Sequence, residues 1–332
     1  MKKVLSVILV AVLLLSVAAI GFAEEKDSTF GAYKRVFIIG IDGAGRFIKD
    51  ADTPNFDRIF KDGAVDYTAR AEVKTDSGPN WGAILTGVSY FKTKLDNGVV
   101  GDVERGADTD YPTVFNYIRR ANPDAVLASY CNWSSINHGI VENDIGVEKV
   151  NIGDDAKLTD AICEYFDAGN DPELFFVQFD SVDHEGHSVG SKGEAFFNQM
   201  NVVDGYLGRV YDTLEENGLL DDALFIVTAD HGHTTIGGHG GITMRETNVT
   251  VAAAGKTVVK GGKFDSDTRN RDVAAMTLYA LGYEKPEEDF TARIPANLFE
   301  EVEGEARPVS KDFADYIISA LAWVVTLITS IV

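Results

Sequence analysis

Cysteine is nearly missing from this chain: Cys131 and Cys163 are the only two in 332 residues. A fold stapled by several disulfides is excluded, and at most one bridge can form. Spacing does not show whether the two meet; two buried free thiols are the alternative. Proline is sparse at 8 residues while glycine reaches 32, a balance that fits neither a collagen-like nor a low-complexity chain. Basic residues are also short, 30 against 52 acidic, for a formal charge of −22. Such a surface repels polyanions, which argues against nucleic-acid polymers and anionic membranes as partners. A small anionic substrate remains compatible if bound cations dominate the local field. No internal repeat is present.

What is there begins with an export signal over residues 1–23. Lys2 and Lys3 form its basic end, Val4 to Ile20 is apolar, and Gly21-Phe22-Ala23 is a small-x-small cleavage site. An uncleaved membrane anchor is the alternative reading. No cysteine lies near that site, which argues against lipid attachment. The expectation is a protein exported to the periplasm, the cell surface or the medium. Residues 24–33 read as a linker, 34–300 as one catalytic domain, 301–312 as an acidic linker, and 313–332 as an apolar C-terminal helix. From Tyr316 to Val332 the tail carries no charge. Seventeen residues at ~1.5 Å each span roughly 26 Å, slightly short of a bilayer core. A membrane anchor and a helix docked on the domain or on a partner are both open. Oligomeric state is not legible.

Within the domain, apolar runs alternate with helix-like segments. Val36–Ile41, Leu174–Phe179 and Leu224–Thr228 are continuous apolar runs, as expected of strands covered on both faces. Ala125–Tyr130 and Val249–Ala254 read as further strands. Helices are expected after Thr53-Pro54, after Asp76, and over 112–121, 158–166, 197–215 and 273–281, with Thr53 capping the first. The pattern predicts an α/β fold with a mostly parallel central sheet and helices on both faces.

Three carboxylates follow the three most apolar strands: Asp42 directly, Asp183 a few residues on, and Asp230 directly. Loops at the carboxyl ends of parallel strands converge on one crevice, so residues distant in sequence can meet there. Each Asp alone would pass for a turn residue or helix cap, but each later one has histidine beside it. Asp183 and His187 are four apart, a spacing that puts them on one side of a helical turn. His231 adjoins Asp230, and His239 sits in the loop Gly237-Gly238-His239-Gly240-Gly241. Imidazole and carboxylate suit zinc and similar divalent ions. His184 and His233 read as residues around the ligands or at the surface, and His138 as structural.

Asp76-Ser77-Gly78-Pro79-Asn80-Trp81 is the other informative stretch. Pro79 fits a first helical turn, so Ser77 or Gly78 could simply be an N-cap. The same geometry offers a hydroxyl at the positive end of a helix, where it could ionise beside a metal and attack phosphorus. Asn80 could donate to a non-bridging oxygen. Two divalent cations would balance Asp42, Asp183, Asp230 and an ionised Ser77, so that a phosphate ester meets a near-neutral site.

In order and spacing these pieces resemble the alkaline phosphatase superfamily, and most closely its type I phosphodiesterase/nucleotide pyrophosphatase-like branch. The resemblance runs from about Arg35 to Glu300. It is carried by Gly40-Ile41-Asp42-Gly43, Thr53-Pro54-Asn55-Phe56-Asp57, Ser77-Gly78-Pro79-Asn80, Leu85-Thr86-Gly87, Asp183 through His187, Thr228 through Gly232, and His239-Gly240-Gly241. It implies one metal held by Asp42, Ser77, Asp230 and His231 and another by Asp183, His187 and His239, usually zinc. It implies a covalent phosphoserine on Ser77 that water then hydrolyses. Many phosphodiesterase members carry Thr where this chain has Ser77, which leaves diester and monoester substrates open. Residues 88–155, with Tyr90, Asn132 and Trp133, are the expected substrate side, together with Trp81. The expected activity is hydrolysis of small phosphate esters by an exported phosphodiesterase or pyrophosphatase. The rivals are a phosphomonoesterase, a sulfatase, and a metal-stabilised surface protein with an inactive site. The sulfatase signature needs Arg where this chain has Trp81.

Overall fold

The computed structural model describes residues 29–300, apart from 263, 265–266, 287–288 and 296–297. The expected export segment, acidic linker and apolar tail lie outside the described residues. Seven strands form one sheet in the order β2-β7-β6-β1-β5-β3-β4, comprising β1 (Arg35–Ile41), β2 (Ala64–Arg70), β3 (Leu127–Cys131), β4 (Glu148–Asn151), β5 (Leu174–Phe179), β6 (Ala223–Thr228) and β7 (Asn248–Ala254). The block β6-β1-β5-β3-β4 is parallel throughout. β7 runs antiparallel to β6, and β2 antiparallel to β7.

The main helices are α1 (Pro54–Phe60), α2 (Ser77–Thr86), α3 (Val114–Ala121), α4 (Asp155–Asp167), α5 (Ser181–Val189), α6 (Glu194–Glu216) and α7 (Asp272–Leu281). They fall into two packed groups. α6 contacts α1, α4 and α5, whereas α7 contacts α2 and α3. Every residue of β1, β5 and β6 is buried, as strands covered on both faces must be. The expected α/β architecture, mostly parallel with helices on both sides, is the one found.

Local departures have clear causes. β2 and β4 escaped the sequence reading because they are edge strands, partly exposed and without a continuous apolar run. Thr53 does not cap α1, since its hydroxyl donates to the Ile48 carbonyl instead. Asp204 of α6 caps it from across the fold, its carboxylate accepting from the Asn55 and Phe56 amides at 2.9 and 2.7 Å. Residues 29–33, in the stretch expected to be a linker, pack on the domain, with Thr29 and Tyr33 buried. Cys131 and Cys163 are free thiols, and burial pushes Cys131 up to about 12. Among the described residues no helix is long and apolar enough to cross a membrane.

β1 pairs with β5 on one side and β6 on the other. The residues that follow these strands therefore emerge side by side at one end of the sheet. The β6–β7 connection folds over the same end.

Candidate metal centre and nucleophile

Asp42 leaves β1 fully buried. Its Oδ2 accepts from Trp81 Nε1 at 2.8 Å and Gln178 Nε2 at 2.9 Å, whereas Oδ1 has no hydrogen-bond partner. Asp230 repeats the pattern at the end of β6. Its Oδ1 accepts from the Gly43 and His231 amides at 3.0 and 2.8 Å, and its buried Oδ2 has no partner. His231 Nε2 lies 3.6 Å from Asp42 Oδ1, 3.2 Å from Asp230 Oδ2 and 3.3 Å from Ser77 Oγ. The other imidazole nitrogen, Nδ1, faces the Gly232 carbonyl at 3.3 Å. A proton on Nδ1 satisfies that carbonyl and leaves Nε2 bare toward the two oxygens.

Ser77 is the first residue of α2, and Asp76 precedes the helix without a side-chain cap bond. The Ser77 hydroxyl is therefore not spent on capping, and it points at His231. All ten residues of α2 are buried, so the helix runs from the site straight into the core.

The second cluster adjoins the first. Asp183 and His187 sit one turn apart on α5, with Oδ2 to Nε2 at 3.3 Å. His239 Nε2 lies 3.1 Å from His187 Nε2 and 3.6 Å from Asp183 Oδ1. His239 Nδ1 is anchored by the Thr75 carbonyl at 2.8 Å and lies 3.3 Å from Asp76 Oδ1. This bond ties the glycine-rich loop to the segment that leads into Ser77.

Electrostatics separate the carboxylates. Burial raises Asp42 well above the ordinary range, and repulsion from Asp230 and Asp183 adds to it. Burial likewise raises Asp230 to about 7, against the pull of the Gly43 amide. Asp183 is only partly buried; desolvation raises it, but hydrogen bonds from His187 and His233 outweigh that and hold it far below the usual range. Burial and His239 keep His231 neutral. Among the described residues, Asp42 and Asp230 have no ionic partner other than His231. Two dry carboxylates with unpaired oxygens converging on a bare imidazole nitrogen are costly alone, a cost that a bound cation would offset. The donor set of carboxylate oxygens, imidazoles and a hydroxyl suits a divalent ion of the zinc type. Asp42, Asp230 and His231 form one candidate group, and Asp183, His187 and His239 another, each with ligand atoms within 4.8 Å of one another.

All seven residues expected to hold metal thus come together. Two expected substrate contacts do not. Asn80 is fully buried, with Oδ1 accepting from the Glu72 amide at 2.7 Å and from Asn270 at 2.9 Å. Its Nδ2 donates to the Lys74 and Asp76 carbonyls. With both donors used, Asn80 braces the turn before Ser77 instead of touching a substrate oxygen. Trp81 is also fully buried, edge-on to Phe176, and its indole holds Asp42. Asn132 donates to Asp155 and lines a cavity of about 430 Å³ with Asp180, His184 and Tyr206. Trp133 is partly buried against the core.

Sequence reasoning left His233 between the surroundings of the ligands and the surface, and it passed over two supports, Gln178 and Asn270. His233 is buried, with Nε2 2.9 Å from Asp183 Oδ1. Gly43, at φ +68°, and Gly186 leave room for its ring, since a Cβ on either would come within 2.7 Å of it. Gln178 holds both Asp42 and Asp180. Asn270 bridges Asn80 and the Asp230 carbonyl. The second histidine of Asp230-His231-Gly232-His233 was the available signal for His233; Gln178 and Asn270 carried none.

Comparison with known proteins agrees with this geometry. The profile described as type I phosphodiesterase / nucleotide pyrophosphatase matches residues 142–312, just over half the chain. GPI ethanolamine phosphate transferase 2 of Aspergillus fumigatus is 23% identical over 231 residues, which cover 66% of this chain and 30% of that protein. The chain thus spans under a third of the length of that relative. Murine ectonucleotide pyrophosphatase/phosphodiesterase 5 superposes with a TM-score of 0.61 at 14% identity, over 77% of this chain and 97% of that one. BT1596, a 2-O GAG sulfatase, superposes with a TM-score of 0.65 at 14% identity, over 83% of this chain and 76% of that one. Sheet order, site geometry and profile match converge: the chain belongs to the type I phosphodiesterase/nucleotide pyrophosphatase family.

Proposed function

We propose that this protein is an exported, metal-dependent hydrolase of small phosphate esters, acting preferentially on diesters through a phosphoserine at Ser77. The single observation that carries the reading is the uncapped Ser77 hydroxyl beside His231 Nε2, where the unpaired oxygens of Asp42 and Asp230 converge. Asp42, Ser77, Asp230 and His231 would hold one divalent ion, and Asp183, His187 and His239 the other, with zinc the expected metal. Ions held there would acidify the serine hydroxyl, neutralise phosphate charge and stabilise the departing oxygen.

The chain's own residues do the rest. Trp81 and Gln178 lock Asp42 so that Oδ1 alone faces the site. The amides of Gly43 and His231 do the same for Asp230. Asn80 fixes the turn that presents Ser77. Ser77 Oγ gives its proton to solvent water and bonds to phosphorus, while the bond from phosphorus to the leaving oxygen breaks and that oxygen takes a proton from water to depart as the alcohol. Water then attacks the phosphoserine and regenerates the hydroxyl. Export rests on the segment 1–23, and membrane association would run through the apolar tail at 313–332. The acidic chain supports a small ester over a nucleic-acid polymer as substrate.

A second reading shares the first half of this reaction. In a transferase, as the name of the Aspergillus fumigatus relative suggests, an acceptor hydroxyl takes the place of water. The test is zinc-loaded protein given bis(p-nitrophenyl) phosphate, with and without added glycerol. Nitrophenol and mono(p-nitrophenyl) phosphate as matched products support the hydrolase. A glycerol phosphodiester as the main product favours the transferase. Release of nitrophenol only from the monoester would make it a phosphatase, and no release from either would sink both readings.

A further inference from the structure

Ser77 and the Asp230–His231 pair reach the site from unrelated parts of the fold, one from the start of α2 and the other from the end of β6. Something must set the distance between them, since a nucleophile displaced by about 1 Å can lose two orders of magnitude in rate. Between the two segments lies Asn270, two residues ahead of α7 and fully buried. Its Nδ2 donates one proton to Asn80 Oδ1 at 2.9 Å and the other to the Asp230 carbonyl at 3.1 Å. Asn80 in turn grips the carbonyls of Lys74 and Asp76, on either side of the residue that anchors His239. Its own backbone amide donates to the Arg70 carbonyl at 3.0 Å, which pins Asn270 to the end of β2.

The orientation of this amide is not arbitrary. Turning it over would set Oδ1 against Asn80 Oδ1 and the Asp230 carbonyl, two contacts between acceptors. As placed, Oδ1 is buried with no hydrogen-bond partner. An unpaired buried carbonyl is unfavourable, and an apolar side chain of the same size would avoid it. A residue there only to fill space would not carry that cost.

We propose that Asn270 is a positioning residue, a single amide that clamps the nucleophile turn to the Asp230–His231 arm and sets the spacing of Ser77 Oγ from His231 Nε2. This deepens the proposed function and rests on it for the rate effect, but its effect on the metal site stands apart. The clamp bonds directly to the Asp230 backbone, whereas it reaches His239 only through Asn80 and the Lys74–Asp76 turn.

The experiment compares Asn270→Ala and the volume-matched Asn270→Leu with wild type in full-length protein. Zinc affinities are measured by competition with a chromophoric chelator, and Asp230→Ala and Asp183→Ala identify which affinity belongs to which site. Turnover of bis(p-nitrophenyl) phosphate gives kcat and KM, and thermal melting reports the fold. Both variants should melt close to wild type. Affinity at the Asp230 site should fall about 10-fold or more, as for lost supports of metal ligands, with a smaller loss at the Asp183 site, which the clamp reaches only through the turn that anchors His239. The kcat should fall by a similar factor while KM moves little. Wild-type affinity and kcat in either folded variant would overturn the clamp. So would equal weakening of both sites, or collapse of melting in both variants, which would assign a structural role. If wild type turns over no ester yet the variants still lose zinc preferentially at the Asp230 site, the hydrolase reading fails and the clamp stands.

Discussion

Gly186→Ala pits two opposing effects of similar size against each other. Gly186 lies inside α5, one residue before His187. On helix propensity alone, alanine there should stabilise the protein by about 1 kcal/mol. The structure argues the opposite. A Cβ at this position would sit 2.5 Å from both Cδ2 and Nε2 of His233 and 2.8 Å from Cε1. Carbon contacts are favourable from about 3.5 Å, so the ring must move by about 1 Å. It has nowhere to go: His233 is fully buried, Gly43 closes another side, and the Phe196 ring packs against its edge. Overpacking of this kind costs about 1–3 kcal/mol, which exceeds the propensity gain. The displaced Nε2 also leaves Asp183 Oδ1, now 2.9 Å away. Losing a hydrogen bond that orients a ligating carboxylate lowers metal affinity by roughly 10–100-fold. Gly186→Ala should therefore melt no higher than wild type and bind one of two zinc ions more weakly, measured by thermal melting and chelator competition. In a His233→Ala background the same change should raise the melting temperature, because the clash is gone and the propensity gain remains. A Gly186→Ala protein that is more stable than wild type, with both affinities intact, would refute the argument.

Three further outcomes are expected. Ser77→Ala should keep both metals by elemental analysis but lose at least about 10³-fold in turnover, the scale seen when a nucleophile is removed; retained turnover would disprove its role. Asp183→Ala or His187→Ala should weaken one metal selectively, and two unchanged metals would count against the second cluster. Glu72 is buried and paired with Arg271, and it accepts from Ser89 Oγ and the Tyr90 amide at 2.7 and 3.2 Å. Burial would raise its pKa, but Arg271, Ser89 and Arg269 outweigh burial and hold it below the ordinary glutamate range. A carboxylate depressed on folding stabilises above its unfolded pKa, and that contribution is lost as pH falls through the folded one. Glu72→Gln should cost about 3–5 kcal/mol at neutral pH, the scale for breaking a buried pair, and the deficit should shrink under acid in urea melts. A deficit independent of pH would place the cost in packing.

What could be read from the sequence follows from where each residue sits. β1, β5 and β6 were plain because burial on both faces forces continuous apolar runs. The same burial made Asp42 and Asp230 conspicuous, as the first charged residues after such runs. Edge strands β2 and β4 face solvent on one side and leave no comparable mark. Asn80 and Trp81 were misplaced for a more instructive reason. Residues three and four beyond a nucleophile read as substrate contacts if the helix lies along the mouth of the site. Here α2 runs into the core, so those positions point at the protein's own ligands and loops. Trp81 meets Asp42, and Asn80 meets the 72–76 segment and Asn270. No local pattern encodes that direction, because the packing of α7 against α2 sets it across nearly 200 residues of chain. The motif around Ser77 therefore specifies less about the substrate than about the candidate metal centre. Three of its conspicuous side chains serve that centre: Ser77 faces it, Trp81 locks one carboxylate, and Asn80 braces the turn before Ser77. Substrate preference then has to reside in side chains outside this motif, and exchanging Asn80 or Trp81 should change rate and metal binding far more than it changes the ranking of substrates.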